Sequence, residues 1–145
     1  MYSILLDTNV MLDYLSRDRP AHSATVEALL TCMSRSDVRI FVPACILKDV
    51  YFVYARHYGS EETARRLVSL LRRAFEVVPL TTEVFDAALS SDEPDLEDGI
   101  VCATAEQLGV DAIFSRDAKA YANSTVRRLD ADGIVGFFET AAGTA

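Results

Sequence analysis

Several aspartates stand where apolar runs of the chain end or where helical patterns begin. Asp7 interrupts the apolar start of SILLDTNVMLDYL, and Asp117 lies just after an apolar run in IFSRDAKAY. Asp95 and Asp98 open the helical pattern that leads into that second run. Asp49 lies early in another helical pattern, after a short apolar run. Carboxylates in these places can bind a divalent cation, or they can simply cap helices.

A group of carboxylates without neighbouring His or Cys is a hard oxygen donor set, which suits Mg²⁺ or Mn²⁺ better than zinc. Such an ion activates water and clamps a phosphodiester for in-line attack. His22 and His57 occupy a loop and a helix end and are not expected to be ligands. The dispersed cysteines Cys32, Cys45 and Cys102 fit a core in a reducing cytosol rather than a disulfide framework or zinc site.

Each aspartate also has a purely structural interpretation. Asp7 is a favoured N-cap residue for the helix that starts near it. Asp95 and Asp98 are spaced like a cap and its partner in an acidic first turn. Asp117 is a typical turn residue, and Asp49 would suit a solvated helix face. The residue pattern alone leaves both interpretations open at every position.

Composition limits the classes of protein to which the chain can belong. Its 145 residues, half of them hydrophobic, predict one soluble domain over 1–140 with a frayed tail over 141–145. The apolar runs are too short for a membrane span, and no secretory signal is recognisable, so we expect a cytoplasmic protein. The net charge of −8 argues against nucleic-acid binding on bulk charge alone. Acids gathered around cations would, however, be locally neutralised.

The elements that must position these acids alternate between strand and helix. Alternation of this kind predicts an α/β fold with a parallel sheet that is covered on both faces. Ligands of such sheets bind beyond the carboxyl ends of the strands, where Asp7 and Asp117 are expected. Asp13 is expected on the exposed surface of the first helix. The predicted strands are 2–6, 39–42, 75–78, 111–114 and 125–129, and the predicted helices are 10–15, 23–34, 44–58, 61–73, 83–90, one ending at Leu108 and one at the C-terminus.

The segments LLDTNVMLDYL, LKDVYFVYARHYG, PDLEDGIVCATAEQLG and AIFSRD, in this order, resemble the PIN-domain nucleases. More narrowly, the chain from Met1 to about Glu139 resembles the small VapC-type toxins of bacterial type II toxin–antitoxin pairs. The resemblance implies a three-layer α/β/α sandwich with a central parallel sheet. It also implies Mg²⁺ or Mn²⁺ bound by acidic residues and endoribonuclease activity, in which water activated by the metal cleaves RNA.

Carried over by position, the resemblance assigns a role to particular residues of this chain. The second acid of the family is usually Glu, and the shorter Asp49 is therefore expected to act through water or to hold the metal more loosely. Arg17 and Arg116 are candidates for contacts with RNA phosphates. The implied catalytic residues are Asp7, Asp49, Asp98 and Asp117, of which Asp7, Asp98 and Asp117 bind metal, with Asn9, Asp95 and Ser115 in support.

The resemblance further implies an RNA substrate, a small antitoxin as inhibitor, and a homodimer formed through helical faces. Three alternatives remain open. The chain could be a PIN nuclease of RNA processing or a catalytically inactive PIN-like binding module. A different Mg²⁺ enzyme or a receiver domain is a third alternative, but a receiver needs an aspartate pair after its first strand, and only Asp7 is found there.

Overall fold

The computed structural model describes residues 1–143, and within them it contains five strands and seven helices. The strands are β1 (Tyr2–Leu6), β2 (Val38–Pro43), β3 (Glu76–Val78), β4 (Ala112–Phe114) and β5 (Arg127–Leu129). The helices are α1 (Thr8–Leu15), α2 (His22–Met33), α3 (Ala44–His57), α4 (Glu61–Ala74), α5 (Thr82–Leu89), α6 (Leu96–Leu108) and α7 (Ala131–Ala142).

All five strands pair in parallel in a single sheet, and helices cover both of its faces. The central strand β1 explains why two covers are needed. Ile4, Leu5 and Leu6 are consecutive, so their side chains alternate between the two faces, yet all three are fully buried. The predicted α/β/α sandwich with a central parallel sheet is therefore confirmed.

The order of the strands, β3-β2-β1-β4-β5, creates a switch point between β1 and β4. From β1 the chain builds outward through β2 to β3, and it then crosses back to place β4 on the other side of β1. In open α/β sheets, ligands bind at such a point, beyond the carboxyl ends of the strands. Leu6 pairs with Phe114 at the strand ends. Asp7 and Ser115, the next residues, consequently leave the sheet side by side.

Helix α6 is fixed in place by a close contact with α5. A Cβ atom on Gly99 would lie 2.7 Å from Ser91 Oγ and 2.9 Å from the carbonyl oxygen of Ala88, which is too near for any other residue type. The helix ends at Gly109, whose φ of 64° is the left-handed conformation that glycine adopts without strain. Because Asp98 precedes Gly99, this packing also sets the position of its carboxylate.

The ends of the elements differ only slightly from those expected. Strand β5 begins at Arg127 rather than at 125, because the amides of Thr125 and Val126 donate to Glu106 Oε1 and Ser124 Oγ instead of pairing with β4. The tail predicted over 141–145 starts inside α7, which continues to Ala142, and residues 144–145 lie outside the described part of the chain. Within residues 1–143, no helix has both the length and the apolarity needed to span a membrane.

Candidate functional site

Asp7 is a buried carboxylate at the end of β1, and it does two things at once. Its Oδ1 accepts a hydrogen bond from the amide of Thr8 at 2.6 Å, so it is the N-cap of α1. Its Oδ2 accepts from Ser115 Oγ at 2.7 Å, from Tyr121 Oη at 2.8 Å and from Asn9 Nδ2 at 3.2 Å. Oδ1 of Asp7 therefore caps α1, whereas Oδ2 faces the side chains of Ser115, Tyr121 and Asn9.

Ser115 links the first and the last of the predicted acids. Its buried hydroxyl donates to Asp7 and accepts from the backbone amide of Asp117 at 3.2 Å. Asn9 Nδ2 also lies 3.2 Å from this hydroxyl. Asp117 Oδ1 in turn accepts from the amide of Lys119 at 3.0 Å, the local bond of an Asx turn. The turn therefore holds Asp117 next to Asp7.

Asp98 lies in the first turn of α6, and its surroundings disfavour its negative charge. Asp95 is the N-cap of this helix and accepts from the Asp98 amide at 2.9 Å. Burial raises the pKa of Asp98 to about 6, with further contributions from the negative charges of Asp95, Asp7, Asp117 and Glu93. A carboxylate shifted by its neighbours in this way stands inside an acidic cluster, and a divalent cation would relieve the repulsion.

Tyr121 is a member of this cluster that sequence reasoning missed. Its hydroxyl lies 2.8 Å from Asp7 Oδ2 and 3.5 Å from Asp98 Oδ1. Burial and the charge of Asp7 raise the pKa of Tyr121, so the phenol is a neutral donor at physiological pH. In the sequence it is only a tyrosine four residues after Asp117, and no spacing rule marks such a position.

Asp49 lies in α3, beside the first turn of α6. It forms an ion pair with Lys48 at 3.1 Å, and its side chain is 33% exposed. Together with Glu97 it lines a groove of about 330 Å³ between α3 and α6. The structure therefore brings Asp7, Asp98 and Asp117 together and places Asp49 along the α3 side of that groove.

Asp13 is a correction to the sequence analysis, because it is not a surface residue. Its side chain is 1% exposed and forms ion pairs with Arg116 at 2.5 Å and with Arg19 at 2.7 Å. Burial opposes its ionisation, but the hydrogen bonds and charges of the two arginines outweigh burial and lower the pKa of Asp13. Arg116, a predicted phosphate contact, is thus anchored through Asp13, whereas Arg17 is exposed in the turn after α1.

The chemistry of these donors fits a hard divalent cation. The clustered groups are carboxylates and hydroxyls, and oxygen donors of this kind suit Mg²⁺ or Mn²⁺. Within residues 1–143, no group of three or more His, Cys, Asp or Glu side chains is arranged so that it could hold a metal ion without rearrangement. The side chains of Asp7, Asp98 and Asp117 are those that could hold an ion here, and they would have to move to close around it.

Structures of known proteins share this fold. The chain is similar to VapC20 of Mycobacterium tuberculosis, a toxin described as cleaving the sarcin–ricin loop, with 16% identity, a TM-score of 0.64, and 79% of this chain and 91% of that chain covered. It is similar to VapBC-1 of nontypeable Haemophilus influenzae, with 14% identity, a TM-score of 0.69, and 90% and 98% covered. A toxin–antitoxin complex of Klebsiella pneumoniae matches with 20% identity, a TM-score of 0.62, and 86% and 94% covered.

At these identities the structural matches establish the fold and not the activity. No curated protein sequence matches the chain significantly. The family model of the PIN domain matches residues 3–119, which is most of the chain and includes all the clustered aspartates. With the strand order, the switch point and the acids at strand ends already in place, this match leads to one conclusion: the chain belongs to the PIN-domain family.

Proposed function

We propose that the protein is a divalent-metal-dependent endoribonuclease and the toxin component of a VapBC-type toxin–antitoxin pair. One observation carries the proposal. Asp7, Asp98 and Asp117 converge from three separate segments at the carboxyl ends of β1 and β4, and the hydroxyls of Ser115 and Tyr121 join them. Helix capping alone explains single acids of this set but not their convergence.

Each residue of the site is proposed to have a separate role in this reaction. Asp7, Asp98 and Asp117 would hold Mg²⁺ or Mn²⁺, with Asn9 and Ser115 keeping Asp7 oriented. When bound, an ion of this type lowers the pKa of water and stabilises charge on a phosphodiester. Asp49, which lines the groove between α3 and α6, would complete the site or orient the attacking water. Asp95 caps α6 and so keeps Asp98 at the mouth of the site.

The substrate contacts that we propose involve arginine. Arg116 follows Ser115 directly, and Asp13 fixes its side chain while leaving it 49% exposed. A guanidinium held in this way can donate its remaining N–H groups to a phosphate with little loss of entropy. Arg17, exposed after α1, is the second candidate. Cationic side chains that contact RNA would offset part of the repulsion between RNA and a chain of net charge −8.

The partner we propose is a small basic antitoxin. An acidic protein with clustered carboxylates and an adjoining groove offers complementary charge to such an inhibitor. Several similar structures are of VapBC or toxin–antitoxin complexes, which supports the same partner class for this chain. We further propose that the protein acts in the cytoplasm as a homodimer formed through helical faces.

The test combines cation binding with RNA cleavage. Mn²⁺ is titrated calorimetrically into chelator-free protein, and structured RNA is incubated with the same samples in Mn²⁺ or Mg²⁺. We expect saturable binding and cleavage by the wild type and loss of both in Asp7→Asn. Asp86→Asn is the matched control, because Asp86 is an exposed aspartate of α5 outside the cluster, and it should behave like the wild type.

The outcomes separate the proposal from its alternatives. Binding of Mn²⁺ without cleavage of any RNA would indicate a PIN-like binding module. Cleavage that persists in Asp7→Asn would refute the metal-site assignment. A small basic reading frame next to the gene, whose product blocks cleavage, would favour the toxin over an RNA-processing nuclease.

A further inference from the structure

The hydroxyl of Tyr121 lies between two carboxylates that repel each other. It donates to Asp7 Oδ2 at 2.8 Å and lies 3.5 Å from Asp98 Oδ1. A phenol is uncharged at neutral pH, so it can occupy the space between two anions without adding to their repulsion. Its position therefore sets the separation of Asp7 and Asp98.

The two carboxylates depend on this hydroxyl to different degrees. Asp7 is also fixed by the Thr8 amide, by Asn9 and by Ser115. Among residues 1–143, the Tyr121 hydroxyl is the one side-chain hydroxyl or N–H group within 3.5 Å of the Asp98 carboxylate, and its single hydrogen is donated to Asp7 at the shorter distance. The α6 packing and the Asp95 cap hold the backbone of Asp98, and the Tyr121 hydroxyl is the side-chain group that lies between its carboxylate and Asp7.

The backbone and the ring of Tyr121 are both restrained by their surroundings. Its φ of 67° places a bulky residue in the left-handed region, where residues other than Gly are uncommon. Its amide donates to Glu93 Oε2 at 2.7 Å, and the residue is only 3% exposed. Such backbone strain persists only where the surrounding structure imposes it, and it clusters at functional sites. The ring is thus a rigid support for its hydroxyl.

We propose that Tyr121 is a positioning residue for the divalent-cation site. Its hydroxyl donates to Asp7, lies against Asp98, and so sets the separation of the two carboxylates before the cation arrives. The inference rests on the proposed function and deepens it, because it names a residue outside the acid set that determines cation affinity. Residues that orient metal ligands commonly contribute a factor of about 10 to 100 to the affinity.

The test is the affinity of Tyr121→Phe for Mn²⁺, measured calorimetrically beside the wild type. The variant keeps the ring and removes only the hydroxyl. We expect its dissociation constant for Mn²⁺ to rise by about tenfold. Tyr51→Phe is the matched control, because the Tyr51 hydroxyl also donates to a carboxylate, that of Glu61 at 3.1 Å, away from the clustered acids. Its affinity for Mn²⁺ should not change.

A second measurement begins with the wild type, so that one of its outcomes does not depend on the folding of a variant. Mg²⁺ is added to saturation to the wild type, and the near-ultraviolet difference spectrum of tyrosine is recorded. A cation that engages Asp7 and Asp98 changes the hydrogen bonding of the Tyr121 phenol, so we expect a tyrosine difference signal. The signal should persist in Tyr51→Phe and disappear in Tyr121→Phe, which a merely structural role would not produce.

The outcomes distinguish this inference from the proposed function. Absence of Mn²⁺ binding by the wild type would overturn both. Binding by the wild type with equal or tighter binding by Tyr121→Phe would overturn the inference alone, as would a wild type that binds Mg²⁺ without any tyrosine difference signal.

Discussion

Asp98 is the residue at which the acidic cluster most strongly affects the stability of the metal-free protein. Its pKa is raised to about 6 from the ordinary 3.8, so the folded state binds its proton more tightly than the unfolded state does. The penalty for ionising Asp98 is therefore fully present above about pH 6, and it is relieved as the pH falls towards the unfolded-state pKa.

This shift predicts that Asp98→Asn stabilises the metal-free protein near neutral pH. The gain in free energy of unfolding should be on the order of 1–2 kcal/mol at about pH 7.5, after allowance for partial solvent exposure. It should shrink as the pH is lowered to about 5, where wild-type Asp98 is mostly protonated. Urea unfolding in a chelating buffer measures both values.

The exposed Asp86 again supplies the comparison, since Asp86→Asn should leave stability within about 0.5 kcal/mol at either pH. A gain in Asp98→Asn that is equally large at both pH values would contradict the assigned pKa.

At the level of elements, the close contact between α5 and α6 determines where Asp98 lies in the site. Gly99 is pressed against the end of α5, one residue from Asp98. We expect Gly99→Ala to lower the free energy of unfolding by about 1–3 kcal/mol, because the added methyl group meets backbone atoms that cannot move aside. Affinity for Mn²⁺ should fall with it, since α6 must shift. Urea unfolding and calorimetry measure the two effects.

Gly136 in α7 offers a control of opposite sign. A Cβ atom there meets nothing within 4 Å, so Gly136→Ala should stabilise the protein by about 0.5–1 kcal/mol through helix propensity and leave Mn²⁺ binding unchanged. If both variants had the same effect, the close contact at Gly99 would not be the cause.

The elements were also the part of the structure most readily predicted from sequence. Apolar runs that alternate with helical patterns specify the strands, the helices and the parallel sheet, and the acids that follow β1 and β4 must then share one edge. Local patterns could not show that Asp13 is buried, because its partners Arg19 and Arg116 lie six and 103 residues away. They also could not predict Tyr121, whose position depends on an uncommon backbone conformation.

Asp49 lies early in α3, as the helical pattern predicted. The resemblance placed it with the other acids, and helical spacing gave no distance between α3 and the carboxyl end of β1. The structure places Asp49 in the lining of a groove, paired with Lys48. Its role in the site stays a prediction, which the RNA-cleavage assay of an Asp49→Asn variant would address.

For the whole molecule, cation binding should appear as added stability. A ligand present at about 100 times its dissociation constant stabilises the folded state by about 2.7 kcal/mol. For a domain of this size, that corresponds to a rise in Tm of roughly 8 °C. We expect this rise when Mn²⁺ is added to the wild type in calorimetric scans, and no rise in Asp7→Asn. A similar rise in both proteins would place the bound ion elsewhere.

The central position of β1 has a consequence for when the site can form during synthesis of the chain. The first acid is residue 7, but its partners Ser115 and Tyr121 lie 108 and 114 residues further along the chain. A growing polypeptide therefore cannot assemble this centre until residue 121 has been synthesised, and pairings this remote in sequence form slowly. Under the proposed function, RNA cleavage would therefore become possible only after the segment that contains Ser115 and Tyr121 has joined β1.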